Sequence, residues 1–280
     1  MRHQRARGAA PSHARAAKPT AHRRRAPPRA PTTPSPRRYD ISYDRFIRTT
    51  EPAHAAAVGA LWNRLVERGQ IYLATYEGWY CVRDECFYTE TELVTDEATG
   101  EKVAPTGAAV EWTAKEPSYF FKLSEWTRPL LDHYAAQPDA IGPKSRRNEV
   151  VAFLEQEGGL RDLSVSRTSF SWGIPVPGDD GHIIYVWIDA LTNYLSALGF
   201  GSSADASADA PLGGNAETFW PSATHVVGKD ILRFHAVYWP ALLMAAGLPP
   251  PRRLFAHGWW TKDGEKISKS LGNVVEPFGQ

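Results

Sequence analysis

From residue 51 onward, apolar residues recur at intervals of three and four, with Val58, Leu61, Trp62, Leu65 and Val66 on one face and Gly69 at the end. This spacing predicts a helix opening at Glu51, with Pro52 in its first turn, where a missing N–H does no harm. The twelve residues before it, 39–50, read as a strand-like segment entering that helix. The period then changes. Residues 71–88 are rich in aromatic and β-branched side chains broken by Gly78 and Asp84, a pattern of short strands and hairpins. Residues 95–113 form a polar, glycine-containing connector. Two further helices are expected at 124–136, with Ser124 as N-cap, and at 148–157. Residues 164–180 are irregular, punctuated by Pro175, Pro177 and Gly178.

The last third is more regular. Residues 182–188 (HIIYVWI) predict a mostly apolar strand leading into a helix at 189–198, and 201–215 is a loop of small residues. Residues 224–228 (THVVG) form a short strand, Asp230 caps a helix running to Ala246, and 254–259 is again a strand. An Asp263–Gly264 turn follows. Strands alternating with helices at this spacing imply parallel pairing through helical crossovers. The expected class is α/β, with functional residues outside the C-terminal ends of the strands.

Charge divides the chain in two. The formal net charge is +1, yet residues 1–38 hold eleven Arg or Lys and no acidic residue, leaving 21 basic against 31 acidic in 39–280. The basic leader has no aromatic residue and no periodicity, so it cannot repay the entropy of ordering and is expected to be disordered. It reads equally as an organelle transit peptide, a nucleic-acid-binding tail, or a segment without function. The run 239–248 is too short to span a bilayer. The only cysteines, Cys81 and Cys86, argue against a disulfide scaffold, and their spacing, without a second ligand pair, argues against structural zinc. No metal ligands are expected, and the cytoplasm, or an organelle matrix, is the expected compartment.

Three segments carry candidate chemistry. In residues 266–270 (KISKS), Lys266 and Lys269 lie three apart after a glycine turn, an arrangement suited to a triphosphate, although such a pair is also a common solvated surface feature. Gly228 and Asp230 sit where a strand runs into a helix, open to a ligand, or to a plain capping role for Asp230. His235 follows on the same helix among Phe234, Tyr238 and Trp239, where a core histidine is the ordinary reading. Trp187, Ala190 and Tyr194 could wall a flat apolar pocket suited to a thioether, or belong to the core.

These segments together resemble class I aminoacyl-tRNA synthetases, and the methionyl type in particular. Lys266–Ser270 resembles the second signature of that class, with Ile267 where Met is commonest. His257, Gly258 and Trp259 before it, the block 228–240 (GKDILRFHAVYWP), the block 185–194 (YVWIDALTNY), and 41–46, 78–88 and 171–177 match neighbouring family blocks. The resemblance covers about residues 39–280. It implies a Rossmann-like parallel sheet, incomplete because the first strand and the His-x-Gly-His-type signature are not found, with a connective insertion. The implied divisions are the leader 1–38, a catalytic-domain strand and helix at 39–71, an insertion with a zinc-free knuckle at 72–178, and the second half of the catalytic domain at 179–280.

The resemblance further implies ATP with Mg2+, methionine and tRNA(Met) as substrates and partners, no membrane, and a monomer. Lys266, Lys269 and Asp230 would be catalytic. Gly228, Asp230, His257, Gly258, Lys266, Ser268 and Lys269 would bind ATP. Trp187, Ala190, Leu191, Tyr194, His235 and Trp239 would form or border the methionine pocket, Leu191 standing where many members have Pro. Without the first signature, little or no aminoacylation is expected of this chain as written, and an incomplete sheet should leave apolar edge and face exposed. Two other readings stay open: a different class I synthetase, and a non-catalytic domain that binds tRNA through its basic tail.

Overall fold

The computed structural model describes residues 40–81, 86–88, 90–96, 99–105, 107–157, 159–201, 212–213, 215–267 and 272–275. The leader 1–38, most of the loop 201–215, and the signature residues Ser268, Lys269 and Ser270 lie outside the described residues. The chain divides into two units, Met1–Asp44 and Arg45–Gln280. In the first, Ile41 and Tyr43 are exposed. Everything below concerns the second.

Helix α1 (Pro52–Glu67) forms as its pattern requires, with Val58, Leu61, Trp62 and Leu65 buried and Glu51 at its N-cap. Gly69 and Gln70 close it by donating to the carbonyls of Val66 and Leu65. The aromatic stretch then folds into β1 (Ile71–Cys81) and β2 (Cys86–Tyr88), an antiparallel pair. The expected connector is not featureless. It contains the small hairpin β3 (Val94–Thr95) and β4 (Lys102–Val103) and the start of β5 (Glu111–Phe121). Lys115, Glu116 and Pro117 hide β5 from a hydrophobicity pattern, but antiparallel pairing with β1 along nearly its whole length imposes the strand.

Ser124 does not cap a helix. A 3-10 turn (Leu123–Trp126) precedes α2 (Thr127–Ala136), and the Ser124 hydroxyl donates instead to Asp162 at 2.5 Å. After β6 (Ile141–Gly142), helix α3 (Lys144–Leu154) starts four residues earlier than the pattern suggested. The stretch 164–180, expected to be irregular, is built from short strands: β7 (Leu163–Ser164), β8 (Ser166–Arg167), β9 (Pro175–Val176) and β10 (Asp179–Ile184). Pro177 and Gly178 fold β9 back onto β10. That strand ends at Ile184, earlier than expected, and pairs antiparallel with β8 and β9 outside the parallel sheet. Trp187 consequently lies in the first turn of α4 (Val186–Ser196), not at a strand end.

The parallel sheet has the order β11 (Thr224–Gly228), β12 (Arg253–His257), β6, after the short helix α5 (Ala216–Phe219). Its third strand therefore comes from within residues 72–178. One face is packed by His225, Val227, Leu254 and Ala256. On the other, Val226 is 70 % exposed and its parallel neighbour Phe255 40 %. Parallel sheets are usually covered on both faces, so this open apolar side matches the exposure expected from the sequence.

Between β11 and β12 the chain passes through a 3-10 turn (Lys229–Ile231), a π-helical turn (Phe234–Tyr238) and α6 (Trp239–Ala245). Gly228, not Asp230, occupies the N-cap position, and no side chain caps it. Pro240 has no N–H to offer the carbonyl of Ala236 one turn back, and the Tyr134 hydroxyl donates to that oxygen at 2.5 Å. The loosened turn is thus stabilised from α2. Beyond β12, β13 (Thr261–Lys262) and β14 (Glu265–Lys266) form a hairpin. Asp263 and Gly264, at φ 54° and 83°, make its tight turn.

A buried polar clamp joins α1 to α4. His54 is fully buried; its Nε2 lies 2.8 Å from Asp189 Oδ1 and its Nδ1 2.8 Å from Ser196 Oγ. Asp189 can only accept, so Nε2 carries a proton. Replacing His54 with leucine strands both partners. Because Asp189 keeps 13 % exposure, the expected loss is about 2 kcal/mol, read from the urea midpoint at unchanged m-value. An unchanged midpoint would show that the clamp contributes nothing.

Candidate functional site

The C-terminal end of the parallel sheet opens on a cleft of roughly 690 Å³. Asp230, His257, Gly258, Trp259, Lys266 and Ile267 line it. The fold thus brings four residues of the sequence-derived nucleotide set (Asp230, His257, Gly258 and Lys266) to one opening. They come from three directions: the turn after β11, the end of β12, and the β13–β14 hairpin.

Gly228 is set by a close approach. A Cβ built there would lie 2.5 Å from Asp230 Oδ1, so the carboxylate folds back over Gly228 and a larger residue there would push it aside. Asp230 is exposed and turned toward the cleft, which suits accepting hydrogen bonds from hydroxyl groups. The His257 ring donates from Nδ1 to the Gly258 carbonyl at 2.7 Å. Trp259 is flanked by two ammonium groups, with Lys266 Nζ 3.8 Å and Lys229 Nζ 4.0 Å from its ring centroid. Among the described residues no group of three His, Cys, Asp or Glu side chains is placed to hold a metal ion. Cys81 is buried with a free thiol.

The apolar candidates lie on α4, the π-helical turn and the first residue of α6. Tyr194 and His235 are directly bonded, hydroxyl to Nε2, at 2.7 Å. His235 Nδ1 lies 2.9 Å from the Ile231 carbonyl, which can only accept. The proton must therefore be on Nδ1, and the Tyr194 hydroxyl donates to Nε2. Burial lowers the pKa of His235 and raises that of Tyr194, so both stay neutral near pH 7. Trp187 stacks on Phe234 with centroids 3.4 Å apart. Trp187, Ala190 and Tyr194 are half-buried, whereas Leu191 and Trp239 are sealed and back the cluster.

His225 and Trp220 escaped the sequence reading. The Trp239 Nε1–H donates to His225 Nε2 at 3.2 Å, and the His225 ring stacks on Tyr194 at 4.0 Å. Trp220 packs edge-on against both His225 and Trp239. Burial, aided by the neighbouring His235, pushes the pKa of His225 down to about 3. The signal was available: strict alternation along β11 places position 225 on the inner face with Val227.

Comparison with known proteins identifies the family. The family model described as tRNA synthetases class I (M) matches residues 32–279. The chain is 59 % identical over 238 residues to the methionine–tRNA ligase of Rickettsia bellii, covering 85 % of this chain and 43 % of that protein. It is 55 % identical over 241 residues to the corresponding ligase of Rhizobium meliloti, covering 44 % of that protein. The crystal structure of Mycobacterium tuberculosis methionyl-tRNA synthetase bound by methionyl-adenylate superimposes with a TM-score of 0.72 at 50 % identity, covering 85 % of this chain and 44 % of that one. The chain thus spans less than half the length of the curated relatives it matches.

Proposed function

Since the chain belongs to the class I tRNA synthetases of the methionine type, we propose that it carries the amino-acid and nucleotide site of a methionine–tRNA ligase. The observation that carries this reading is a chain of contacts between two chemically distinct groups of residues. Tyr194 is bonded to His235, His235 is bonded to the Ile231 carbonyl, and Asp230, the residue before Ile231, lines the cleft with Lys266. A thioether packs well against ring faces and edges, and an uncharged wall avoids burying a counterion.

In the proposed reaction, a methionine carboxylate oxygen bonds to the α-phosphorus of ATP and pyrophosphate leaves with the bonding electrons. A terminal ribose hydroxyl of tRNA(Met) then attacks the carbonyl carbon, and AMP departs. The side chains position and offset charge; none is required as a nucleophile. Lys266, with Lys269 beside it in sequence, would balance the negative charge growing on the leaving pyrophosphate. Asp230 would accept from the ribose hydroxyls, with Gly228, His257, Gly258 and Ser268 completing the nucleotide side. Mg2+ would accompany ATP as part of the substrate, and the several exposed acceptors and cations of the cleft fit a metal–polyphosphate pair. Trp187, Ala190 and Tyr194 would meet the methionine side chain, backed by Leu191, His235 and Trp239.

Residues 72–178 are proposed as a connective insertion that helps to hold the tRNA acceptor end, with 39–71 and 179–280 forming the catalytic body, to which the stretch around β6 also contributes a strand of the parallel sheet. Among the described residues no helix is long and apolar enough to cross a membrane. The cytoplasm, or an organelle matrix if residues 1–38 direct transport, is the proposed compartment, and a monomer the proposed state.

The test is calorimetric titration of the chain with non-hydrolysable methionyl- and leucyl-adenylate analogues. The methionyl compound should bind at least about tenfold more tightly, the scale at which a pocket distinguishes side chains of similar size. Tyr194→Leu, which removes the ring and its bond to His235, should erase most of that preference. Equal affinity for the two analogues would defeat the assignment.

A further inference from the structure

The ring of Trp259 meets two cations that come from different parts of the chain. Lys229 follows β11 and Lys266 ends β14, yet their ammonium groups lie 4.0 and 3.8 Å from the same indole centroid. Two like charges gather on one side chain only if that side chain attracts both, and the negative face of an indole does so. Such attraction is weak at an exposed site and yields readily to a true anion. Trp259 is 45 % exposed and lines the cleft together with Lys266. Lys229 is the residue between Gly228 and Asp230, so it stands at the strand end where the cleft begins.

We propose that Trp259 is a resting platform for two polyphosphate-binding lysines, and that Lys229 is a polyphosphate contact in its own right alongside Lys266. Both ammonium groups lie on the indole. When a chain of phosphates enters, they leave the ring and bind phosphate oxygens. The proposal rests on reading the cleft as the nucleotide side of the site, and it names a residue outside the signature loop.

The experiment titrates the whole chain with sodium tripolyphosphate, following tryptophan emission and, separately, heat. Wild-type protein should bind with a change in emission as the ammonium groups leave the indole. Lys229→Met should weaken binding about fivefold, the effect of one charge-assisted contact. Lys122→Met, which removes a positive charge next to Glu125 and outside the cleft, should leave binding within about twofold. Trp259→Leu should retain binding by heat, tightened about threefold because the ring no longer competes, and should lose the emission change. A Lys229→Met protein that binds like wild type, a wild type that fails to bind, or an undiminished emission change in Trp259→Leu would each overturn the proposal.

The methionyl-adenylate titration separates this outcome from the functional assignment. Tripolyphosphate behaviour as predicted without analogue selectivity would leave the platform standing and remove the amino-acid reading. Analogue selectivity with an indifferent Lys229→Met would do the reverse.

Discussion

Trp239→Ala should destabilise the protein by about 3–5 kcal/mol, the range for truncating a large aromatic in a well-packed core. Trp239 is fully buried, and its removal has two consequences. It opens a void where Trp220 meets it at a 6.2 Å centroid distance, and it leaves His225 Nε2 without its donor. The second consequence is chemical, because a buried acceptor without a partner adds its own desolvation penalty. Denaturant unfolding monitored by far-UV circular dichroism gives the number. Trp239→Phe should recover the packing part and not the hydrogen bond, falling between wild type and alanine. A loss below about 1 kcal/mol for the alanine variant would show that the aromatic cluster is loosely packed.

The second large effect is a pH dependence. His225 has an ordinary value of 6.5 in the unfolded chain, and burial holds it down to about 3 in the folded one. Between those values the unfolded state binds more protons, so acid favours unfolding. The stability is fully present above pH 6.5 and is lost as pH falls toward 3. By pH 4.5 the loss attributable to this one ring is about 2–3 kcal/mol. His235 is shifted in the same direction by burial and adds with the same sign. Urea midpoints at pH 7 and pH 4.5 measure the slope. His225→Gln, which still offers Trp239 an acceptor, should flatten it. A slope identical in the two proteins would place the acid sensitivity elsewhere.

The two kinds of element differed in how visible they were in the sequence. Helix α1 and the strand β11 were legible because a single buried face sets their spacing, three-and-four in one and alternation in the other. The hairpin at Asp263–Gly264 was legible because its turn needs two positive φ angles. Strand β5 was hidden, since Lys115, Glu116 and Pro117 break every local pattern and only its partner β1 makes it extended. The third parallel strand, β6, is two residues long, too short to leave a periodic trace. Residues 182–188 misled because an apolar run reads alike for a strand and for the buried start of a helix, and the boundary at Tyr185 depends on packing.

The site was legible in a similar way. Asp230, His257, Gly258 and Lys266 could be named from short blocks, and the fold brings them to one cleft. The burial of Leu191 and Trp239 could not be told apart from that of Trp187 and Tyr194, because sequence spacing does not report depth. Trp259 was visible as a flanking letter only. Its two lysine neighbours come from segments thirty residues or more away from each other, and no local pattern joins them.

The π-helical turn between Phe234 and Tyr238 holds one residue more per turn than its surroundings. Loss or gain of a single residue between Gly228 and Pro240 would swing everything beyond it by about 100° around the helix axis. The Trp239 indole would then point away from His225, and the Ala236 carbonyl away from Tyr134. Residue identity in this segment can vary at exposed positions, but its length cannot. An insertion or deletion here would act as a rotation of the aromatic cluster.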